Sequence, residues 1–252
     1  MKYALLTIIF LLICKTCLAS ATSIGQGACT QYPAPNVLMS GCVGYWTFNE
    51  GVGSSTADSS GMGNNGTITG ATWVDGIRGK CLSFDGDDSV NIGDPANGSL
   101  DFGTGSFSLL CKTKTTGTVS TFHIMYNKTN GGATTPGYTM SINNSGGSLR
   151  FVLKDGIHTA QQASKGSNYN DGNWYSLGVV FNKSSNMAIC YADGVSIGSV
   201  SISAISSSTS SSVNFTIGAD SPYFLKGYID ECRIYKRALS EAEIQTLFYL
   251  KQ

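Results

Sequence analysis

Short apolar runs, each followed by turn residues, recur about every eight to twelve residues and limit the fold of this chain more than any other feature. The runs alternate with polar residues or are rich in β-branched and aromatic ones, as strands require. Asp85-Gly86 and Asp193-Gly194 are typical of tight hairpin turns, and glycine is abundant, at 31 residues. The pattern predicts an all-β fold, a two-sheet antiparallel sandwich in one large domain.

The predicted strands all share this pattern. They cover 43–48, 80–84, 89–92, 107–112, 122–126, 138–142, 148–153, 158–162, 173–181, 187–191, 195–200, 214–218 and 227–235. The segment 51–70 is rich in Gly, Ser and Asn and is predicted to be a long loop. The serine-rich run through Ser212 predicts an edge strand joined to a loop.

The segment 227–248 near the C-terminus changes its period halfway along. Its first half alternates, which predicts a strand with Asp230 and Cys232 on one face and Glu231 and Arg233 on the other. Because a buried acid without a partner is costly, Asp230 is expected to meet a cation, an arginine or several N–H groups.

The second half of this segment carries helix signals. Ser240 followed by Glu243 is a capping box, and Leu239 before the cap can pack on Ile244. The apolar residues that follow recur at helical spacing. We therefore expect a short C-terminal helix that docks on the sandwich.

The charge balance excludes two classes of partner. The chain has 16 Lys and Arg against 16 Asp and Glu, and only 13% of its residues are charged. Nucleic-acid binding needs a basic surface, so no nucleic-acid partner is expected. Electrostatic attachment to a membrane surface is disfavoured for the same reason.

The N-terminus has the parts of an export signal: Lys2, an apolar run at 4–13 and small residues ending at Ala21. The apolar run is about ten residues, too short to span a bilayer comfortably; an uncleaved anchor is the alternative. We expect a secreted or cell-surface protein. Its predicted parts are a cleavable signal peptide at 1–21, an N-terminal lead or linker at 22–42 and one domain at 43–252.

Six cysteines lie beyond this signal, at Cys29, Cys42, Cys81, Cys111, Cys190 and Cys232. An even number of cysteines in an exported chain favours disulfides over buried free thiols. None of the six has the Cys-x-x-Cys spacing of a zinc site. About fifteen pairings are possible for six cysteines, and the sequence alone does not choose among them.

Seven segments, taken in order, resemble the laminin-G-like, concanavalin A-like jelly-roll family. They are YWTFNEG at 45–51, DSSG at 58–61, GKCLSFDG at 79–86, FSL at 107–109, DGNWY at 171–175, YADGV at 191–195 and the closing segment 227–248. The resemblance implies a jelly roll of two antiparallel sheets with a short C-terminal helix. It also implies a secreted or surface protein that binds glycans or proteins.

One position departs from the family pattern. Similar domains usually carry Trp where this chain has Cys111, which suggests that a covalent link replaces packing volume. With neighbouring strands inferred from the resemblance, the hypothesised pairs are Cys111–Cys190, Cys81–Cys232 and Cys29–Cys42.

No catalytic site is expected. Glucanases of similar fold place their acids as Glu-x-Asp-x-Glu on one strand, and this run is absent. The three acids Asp85, Asp87 and Asp88 cluster in a turn, where Asp is common. The chain has only two histidines, His123 and His158, both on predicted strands.

A structural calcium ion is the one cofactor that the sequence favours. Ca²⁺ takes six to eight oxygen ligands, and the loop with Asp58, Asn64 and Asn65 is rich in them. In similar domains the first and last strands are neighbours, which implies that this loop approaches Asp230. The predicted ligands are therefore Asp58, Asn64, Asn65 and Asp230; the alternative is that Asp230 only accepts hydrogen bonds from the loop.

Sugar binding needs an exposed ring to stack on a pyranose, with polar groups for the hydroxyls. The candidate ligand-binding residues are Trp73, Tyr126, Tyr169 and Tyr223, although each could be a half-buried ring on a sandwich edge. Trp46 and Trp174 are expected in the core. We predict a non-catalytic, lectin-like module that binds carbohydrate. The alternative is a protein–protein adhesion or surface-structural subunit of the same fold, and a glycoside hydrolase is the less favoured third hypothesis.

Overall fold

The computed structural model describes residues 37–115, 119, 121–132, 134–158 and 161–249. These residues form a 3-10 turn (Val37–Met39), strands and one α-helix, α1 (Glu241–Tyr249). The strands are β1 (Cys42–Trp46), β2 (Ser55–Thr56), β3 (Gly66–Thr69), β4 (Thr72–Asp75), β5 (Lys80–Asp85), β6 (Ser89–Gly93), β7 (Phe107–Thr115), β8 (Phe122–Asn127), β9 (Gly137–Asn143), β10 (Leu149–Lys154), β11 (Gln161–Lys165), β12 (Tyr175–Asn182), β13 (Met187–Ala192), β14 (Val195–Ser201), β15 (Phe215–Ile217), β16 (Ala219–Asp220), β17 (Tyr223–Phe224) and β18 (Lys226–Tyr235).

The strands form two antiparallel sheets and one separate hairpin. Sheet 1 has the order β14-β13-β12-β7-β18-β5-β4, with β1 also paired to β18. Sheet 2 has the order β11-β10-β9-β8-β15-β6-β3-β2, and β16 and β17 form the hairpin. The predicted all-β, two-sheet antiparallel jelly roll with a short C-terminal helix is confirmed. So is the pairing of the first strand with the last.

Large aromatic side chains fill the space between the sheets. Phe107 stacks on both Phe102 and Phe181, with ring centroids 4.2 and 4.3 Å apart. Trp46 is fully buried, as predicted, and its indole N–H donates to the carbonyl of Asn64 at 2.8 Å. Trp174 is only partly buried, so its predicted place in the core is wrong.

The helix α1 packs on the outer face of sheet 1. The predicted capping box forms: the Glu243 N–H donates to the Ser240 hydroxyl at 3.4 Å, and the Ser240 N–H donates to the Glu243 carboxylate at 2.9 Å. The buried cluster beneath the helix comprises Leu38, Cys42, Tyr45, Leu110, Val180, Tyr191, Tyr235, Leu239, Ile244, Leu247 and Phe248. The helix therefore seals one face of the sandwich.

The strict alternation predicted for the closing strand is wrong beyond Asp230. Glu231 has φ +51°, and the register of β18 against β7 shifts between Asp230 and Arg233. This β-bulge inserts one extra residue and reverses the faces that follow. Cys232 therefore lies on the same inner face as Ile229, while Arg233 faces outward.

The polar segment 51–70, predicted to be a loop, contains the short strands β2 and β3. In β3 the residues alternate between buried and exposed, with Ile68 pointing inward. Such short strands carry a weak apolar signal, which explains why the composition concealed them. The predicted strand 158–162 is found later, as β11, and residues 159–160 lie outside the described residues.

Two of the three hypothesised disulfide pairs, Cys111–Cys190 and Cys81–Cys232, need correction. All five described cysteines are free thiols. Cys111 and Cys190 lie on strands separated by β12. Two strand spacings alone place their backbones roughly 9.5 Å apart, which exceeds the Cα–Cα distance that a disulfide can span. Cys81 alternates with the core residue Leu82 and so faces outward, whereas Cys232 faces the core. Cys29 and the signal 1–21 lie outside the described residues.

Candidate ligand-binding surface

The outer face of sheet 2 carries the charged residues of the candidate surface. In β10, Leu149, Phe151 and Leu153 point into the core between the sheets. Because side chains alternate along a strand, Arg150 and Lys154 point to the opposite, outer face. The Lys154 ammonium donates to the backbone carbonyl of Gly132 at 3.1 Å, which fixes its position.

The hairpin β16–β17 packs against β8 and brings an acid and an aromatic ring to this face. Gly218, with φ +86°, makes the turn into the hairpin, and a Cβ there would lie 2.4 Å from the Phe84 ring. Glycine is therefore required. The ring of Tyr223 meets that of Phe122 edge-on at 5.3 Å, and the Arg150 guanidinium lies 4.4 Å from the Phe122 centroid.

Three charged groups influence one another here. Burial raises the pKa of Asp220, and the positive charges of Lys154 and Arg150 offset only part of that effect. Burial likewise lowers the pKa of Arg150 and of Lys154, against the opposing charge of Asp220. Each group is thus partly stripped of water, a condition that strengthens its interaction with a polar ligand.

A buried hydroxyl lies beneath these charges. Ser141 pairs across the strands with Ile124 on one side and Arg150 on the other. Its Oγ is fully buried and has no hydrogen-bond partner among the described residues. Most buried hydroxyls are satisfied, so Ser141 is an exception, although its burial keeps it out of direct reach of a ligand. Phe122, Ser141, Arg150, Lys154, Asp220 and Tyr223 are hereafter the Arg150 surface.

The structure separates the four predicted ligand-binding aromatics. Tyr223 belongs to the Arg150 surface. Tyr126 is fully buried and donates to the Leu110 carbonyl at 2.5 Å, so its predicted role in ligand contact is wrong. Trp73 is half-buried on β4 and donates to the Gly53 carbonyl, while Tyr169 packs edge-on against a neighbouring tyrosine. Neither of these two lies on β8–β10 or on the hairpin.

Sequence reasoning missed five residues of this surface: Phe122, Ser141, Arg150, Lys154 and Asp220. The signal for two of them was present, because the alternation of Leu149, Phe151 and Leu153 assigns Arg150 and Lys154 to the other face. No comparable signal marks Asp220, which reaches the surface only through the fold of the hairpin.

The four predicted calcium ligands do not form a coordination set. The Asp58 carboxylate accepts four hydrogen bonds, from the backbone N–H groups of Tyr45, Ser60 and Asn64 and from the Ser60 hydroxyl, at 2.8–3.0 Å. These donors occupy the positions where a cation would lie. The side-chain oxygen of Asn65 accepts from the Asp58 N–H in the same loop.

The other two predicted ligands are also engaged elsewhere. The Asn64 side-chain oxygen accepts a hydrogen bond from the Ser99 hydroxyl at 3.2 Å. Asp230 lines a small cleft with Ile77, Arg78, Lys112 and Glu231. Its neighbours are therefore cations as well as an acid, and the residues present do not fit Ca²⁺.

Acidic side chains converge at one other place in the described part of the chain. Ligand atoms of Asp85, Asp87 and Asp88 lie within 4.8 Å of one another. Contact with Asp85 raises the pKa of Asp87, and Asp88 accepts a hydrogen bond from the Asp85 N–H at 2.7 Å. The cluster occupies the turn after β5, as the sequence predicted.

Comparison with known families identifies the fold. A family model described as the concanavalin A-like lectin/glucanases superfamily matches residues 84–245, and the chain belongs to this superfamily. No curated protein sequence matches the chain. No helix in the described residues is long and apolar enough to cross a membrane.

Solved structures with the same fold include several binding domains. The binding domain of Paraclostridial mosquitocidal protein 1 is 18% identical, with a TM-score of 0.68 over 84% of this chain and 52% of that chain. The binding domain of botulinum neurotoxin DC, in complex with rat synaptotagmin II, is 15% identical, with a TM-score of 0.66 over 85% of this chain and 52% of that chain. This chain thus spans about half the length of these two domains.

A third structure matches over almost its whole length. Domain 4 of AbnA, a GH43 extracellular arabinanase from Geobacillus stearothermophilus, was solved in complex with arabinotriose. It is 20% identical, with a TM-score of 0.61 over 82% of this chain and 98% of that chain. At these identities the shared property is the fold.

Proposed function

We propose that this protein is a non-catalytic, lectin-like module that binds carbohydrate at the Arg150 surface. The observation that carries the proposal is the convergence of Tyr223, Arg150 and Asp220 on the outer face of sheet 2. We further propose that the protein is secreted or displayed at the cell surface, in line with the export signal at 1–21.

The chemistry of the surface suits a sugar. A pyranose presents apolar C–H faces, which pack on aromatic rings, and hydroxyls that both donate and accept hydrogen bonds. Tyr223 and Phe122 supply rings, Asp220 accepts hydrogen bonds and Arg150 donates them. Two partly dehydrated charges of opposite sign beside a ring favour a polyhydroxylated ligand over a purely apolar one.

Proteins of the same fold support this class of ligand. The AbnA domain was solved with arabinotriose, and another structure shows the botulinum neurotoxin DC binding domain in complex with SialylT. The complex with synaptotagmin II shows that a protein of this fold class also takes a protein receptor. Protein adhesion is therefore the second candidate function.

The Arg150 surface carries no pair of carboxylates, which supports the non-catalytic reading. Glycoside hydrolysis needs two carboxyl groups facing one bond, one of them protonated. On the Arg150 surface the carboxylate is Asp220 alone. Glu231, on the opposite sheet, is occupied by Tyr45 and Arg233.

A glycan array probed with the purified chain tests the proposal, followed by calorimetric titration of the best oligosaccharide. Tyr223→Ala and Asp220→Asn are each expected to weaken binding about tenfold or more, the equivalent of about 1.4 kcal/mol. Tyr249→Ala is the matched control, because Tyr249 is exposed on α1, over the other sheet.

Each outcome distinguishes the candidates. Unchanged affinity in both variants would reject the Arg150 surface. Failure to bind any glycan, together with self-assembly on a sizing column or capture of a defined protein receptor, would favour the adhesion subunit.

A further inference from the structure

Two buried cysteines face each other across neighbouring strands of sheet 1. The register of β7 against β18 places Cys111 opposite the bulge that contains Glu231 and Cys232. Both cysteines belong to the core between the sheets, with 1% and 0% of their surfaces exposed. Burial and the neighbouring Cys111 side chain both raise the pKa of the Cys232 thiol.

The backbone spacing suits a covalent bond. Cys111 and Cys232 lie between two directly opposed pairs, Lys112–Asp230 and Leu110–Arg233. Such pairs have Cα atoms about 4.5–5.5 Å apart, inside the roughly 4.4–6.8 Å range of disulfides. The other described cysteines lack such a neighbour. Cys190 is separated from Cys111 by a strand, Cys81 faces outward from sheet 1, and Cys42 lies beneath α1.

We propose that Cys111 and Cys232 form a disulfide when the chain folds in an oxidising compartment. The bond joins the closing strand to the strand beside it, in the middle of sheet 1. It differs from both pairings that the sequence suggested for these residues. It also provides the covalent link expected where similar domains carry Trp.

The reaction is a thiol–disulfide exchange with a disulfide oxidant, such as oxidised glutathione or an oxidised dithiol oxidoreductase. One cysteine thiolate attacks the oxidant and releases one of its sulfurs as a thiolate. The second cysteine thiolate then attacks this mixed disulfide and releases the other. The two cysteines lose two electrons and two protons, and the oxidant becomes two thiols. Because both sulfurs are buried in the folded chain, exchange must precede closure of the core.

Peptide mapping tests the pairing directly. The full chain is reduced, unfolded and refolded in a mixture of reduced and oxidised glutathione, and the remaining thiols are then alkylated in denaturant. Trypsin leaves Cys81 and Cys111 together in peptide 81–112 because no Lys or Arg separates them. Cleavage before Asp residues avoids this ambiguity, since it places Cys111 in 101–154 and Cys232 in 230–252.

The expected product is one cross-linked species that joins peptides 101–154 and 230–252. Recovery of both cysteines in alkylated form, or of Cys232 linked to any other cysteine, would overturn the proposal. The same digest places Cys81 in peptide 75–84 and Cys190 in peptide 171–192, so a link from Cys232 to either of these is distinguishable from the expected one.

Thermal melts with and without reductant provide a second test. A packing defect alone would not make Tm depend on reductant. The oxidised chain is expected to lose roughly 10 °C of Tm on reduction, because the bond closes a long loop. Cys111→Ala and Cys232→Ala should abolish this dependence on reductant, while the controls Cys81→Ala and Cys42→Ala should retain it. A reductant effect that persists in Cys232→Ala would refute the bond.

Discussion

The Tyr45 hydroxyl donates a hydrogen bond to Oε2 of Glu231 at 2.9 Å, joining β1 to the bulge of β18. The Arg233 guanidinium donates to the same oxygen at 2.5 Å and lies over the Tyr45 ring at 4.0 Å. Glu231 has φ +51°, which costs a non-glycine residue about 1–2 kcal/mol. The two contacts explain how the strained residue is held, and hence how the bulge can turn Cys232 inward.

Glu231→Gln is expected to lower the free energy of unfolding by about 2–3 kcal/mol. The substitution removes the negative charge that faces Arg233, whose side chain is almost fully buried. Chemical denaturation provides the measurement. Glu241→Gln is the matched control. Because Glu241 is exposed in the first turn of α1, this substitution should lower the free energy of unfolding by less than about 1 kcal/mol. Equal losses in the two variants would contradict a special role for Glu231.

Ser240→Ala is expected to destabilise the protein by about 1 kcal/mol, because Ser240 caps α1 and bonds to Glu243 in both directions. The denaturant concentration at the midpoint of unfolding should fall, while the dependence of the unfolding free energy on denaturant concentration should stay the same. Ser145→Ala, at an exposed turn position after β9, is the control and should remain within about 0.5 kcal/mol of the parent. A cost at Ser145 as large as at Ser240 would argue against the cap.

Local signals predicted more of the fold than of the site. The capping box and most strands were readable, because each depends on residues close together in the chain. The bulge at Glu231 was not, since the register of β18 against β7 decides it and the local pattern continues to alternate. Tyr126 and Phe122 illustrate the same limit: both lie on one predicted strand, yet only the sheet order and the bulge in β8 decide which ring is buried.

The Arg150 surface shows why a ligand site is harder to predict than a fold. Its residues come from β8, β9, β10 and the hairpin β16–β17, and the hairpin carries no strand signal. Arg150 was assignable to an outer face, but its neighbour Asp220 depends on the turn at Gly218. The predicted calcium ligands were misjudged for a related reason, because the oxygens of Asp58, Asn64 and Asn65 accept hydrogen bonds from protein donors that the composition does not show.

Chelation of divalent cations is expected to leave Tm unchanged. The Asp58 carboxylate already accepts four hydrogen bonds from protein donors, so a cation would have to displace them. Asp58→Asn, by contrast, should cost about 1–3 kcal/mol because its amide group turns a donor toward backbone N–H groups. Thermal melts in EDTA and in excess Ca²⁺ provide the measurement. A rise in Tm with Ca²⁺ that disappears in Asp58→Asn would instead support the calcium site.

Acidification is expected to destabilise the protein through His123, which is fully buried on β8. Its Nδ1 accepts the Lys226 N–H at 3.4 Å, and its Nε2 has no partner among the described residues. Burial lowers the pKa of His123 from 6.5 to about 4. Between these values the unfolded chain binds a proton that the folded chain does not, so stability falls as the pH drops from 6.5 toward 4. This group contributes no pH dependence above that window.

The loss assigned to His123 is about 3 kcal/mol across the window, since each unit of pKa is equivalent to about 1.36 kcal/mol. Urea titrations at half-unit steps of pH measure it. His123→Gln should flatten the curve between pH 6.5 and 4 whatever its stability at pH 7, because glutamine does not titrate. If the variant kept the full slope, other groups would account for the acid sensitivity, and the buried imidazole would have to be protonated or solvated in the folded protein.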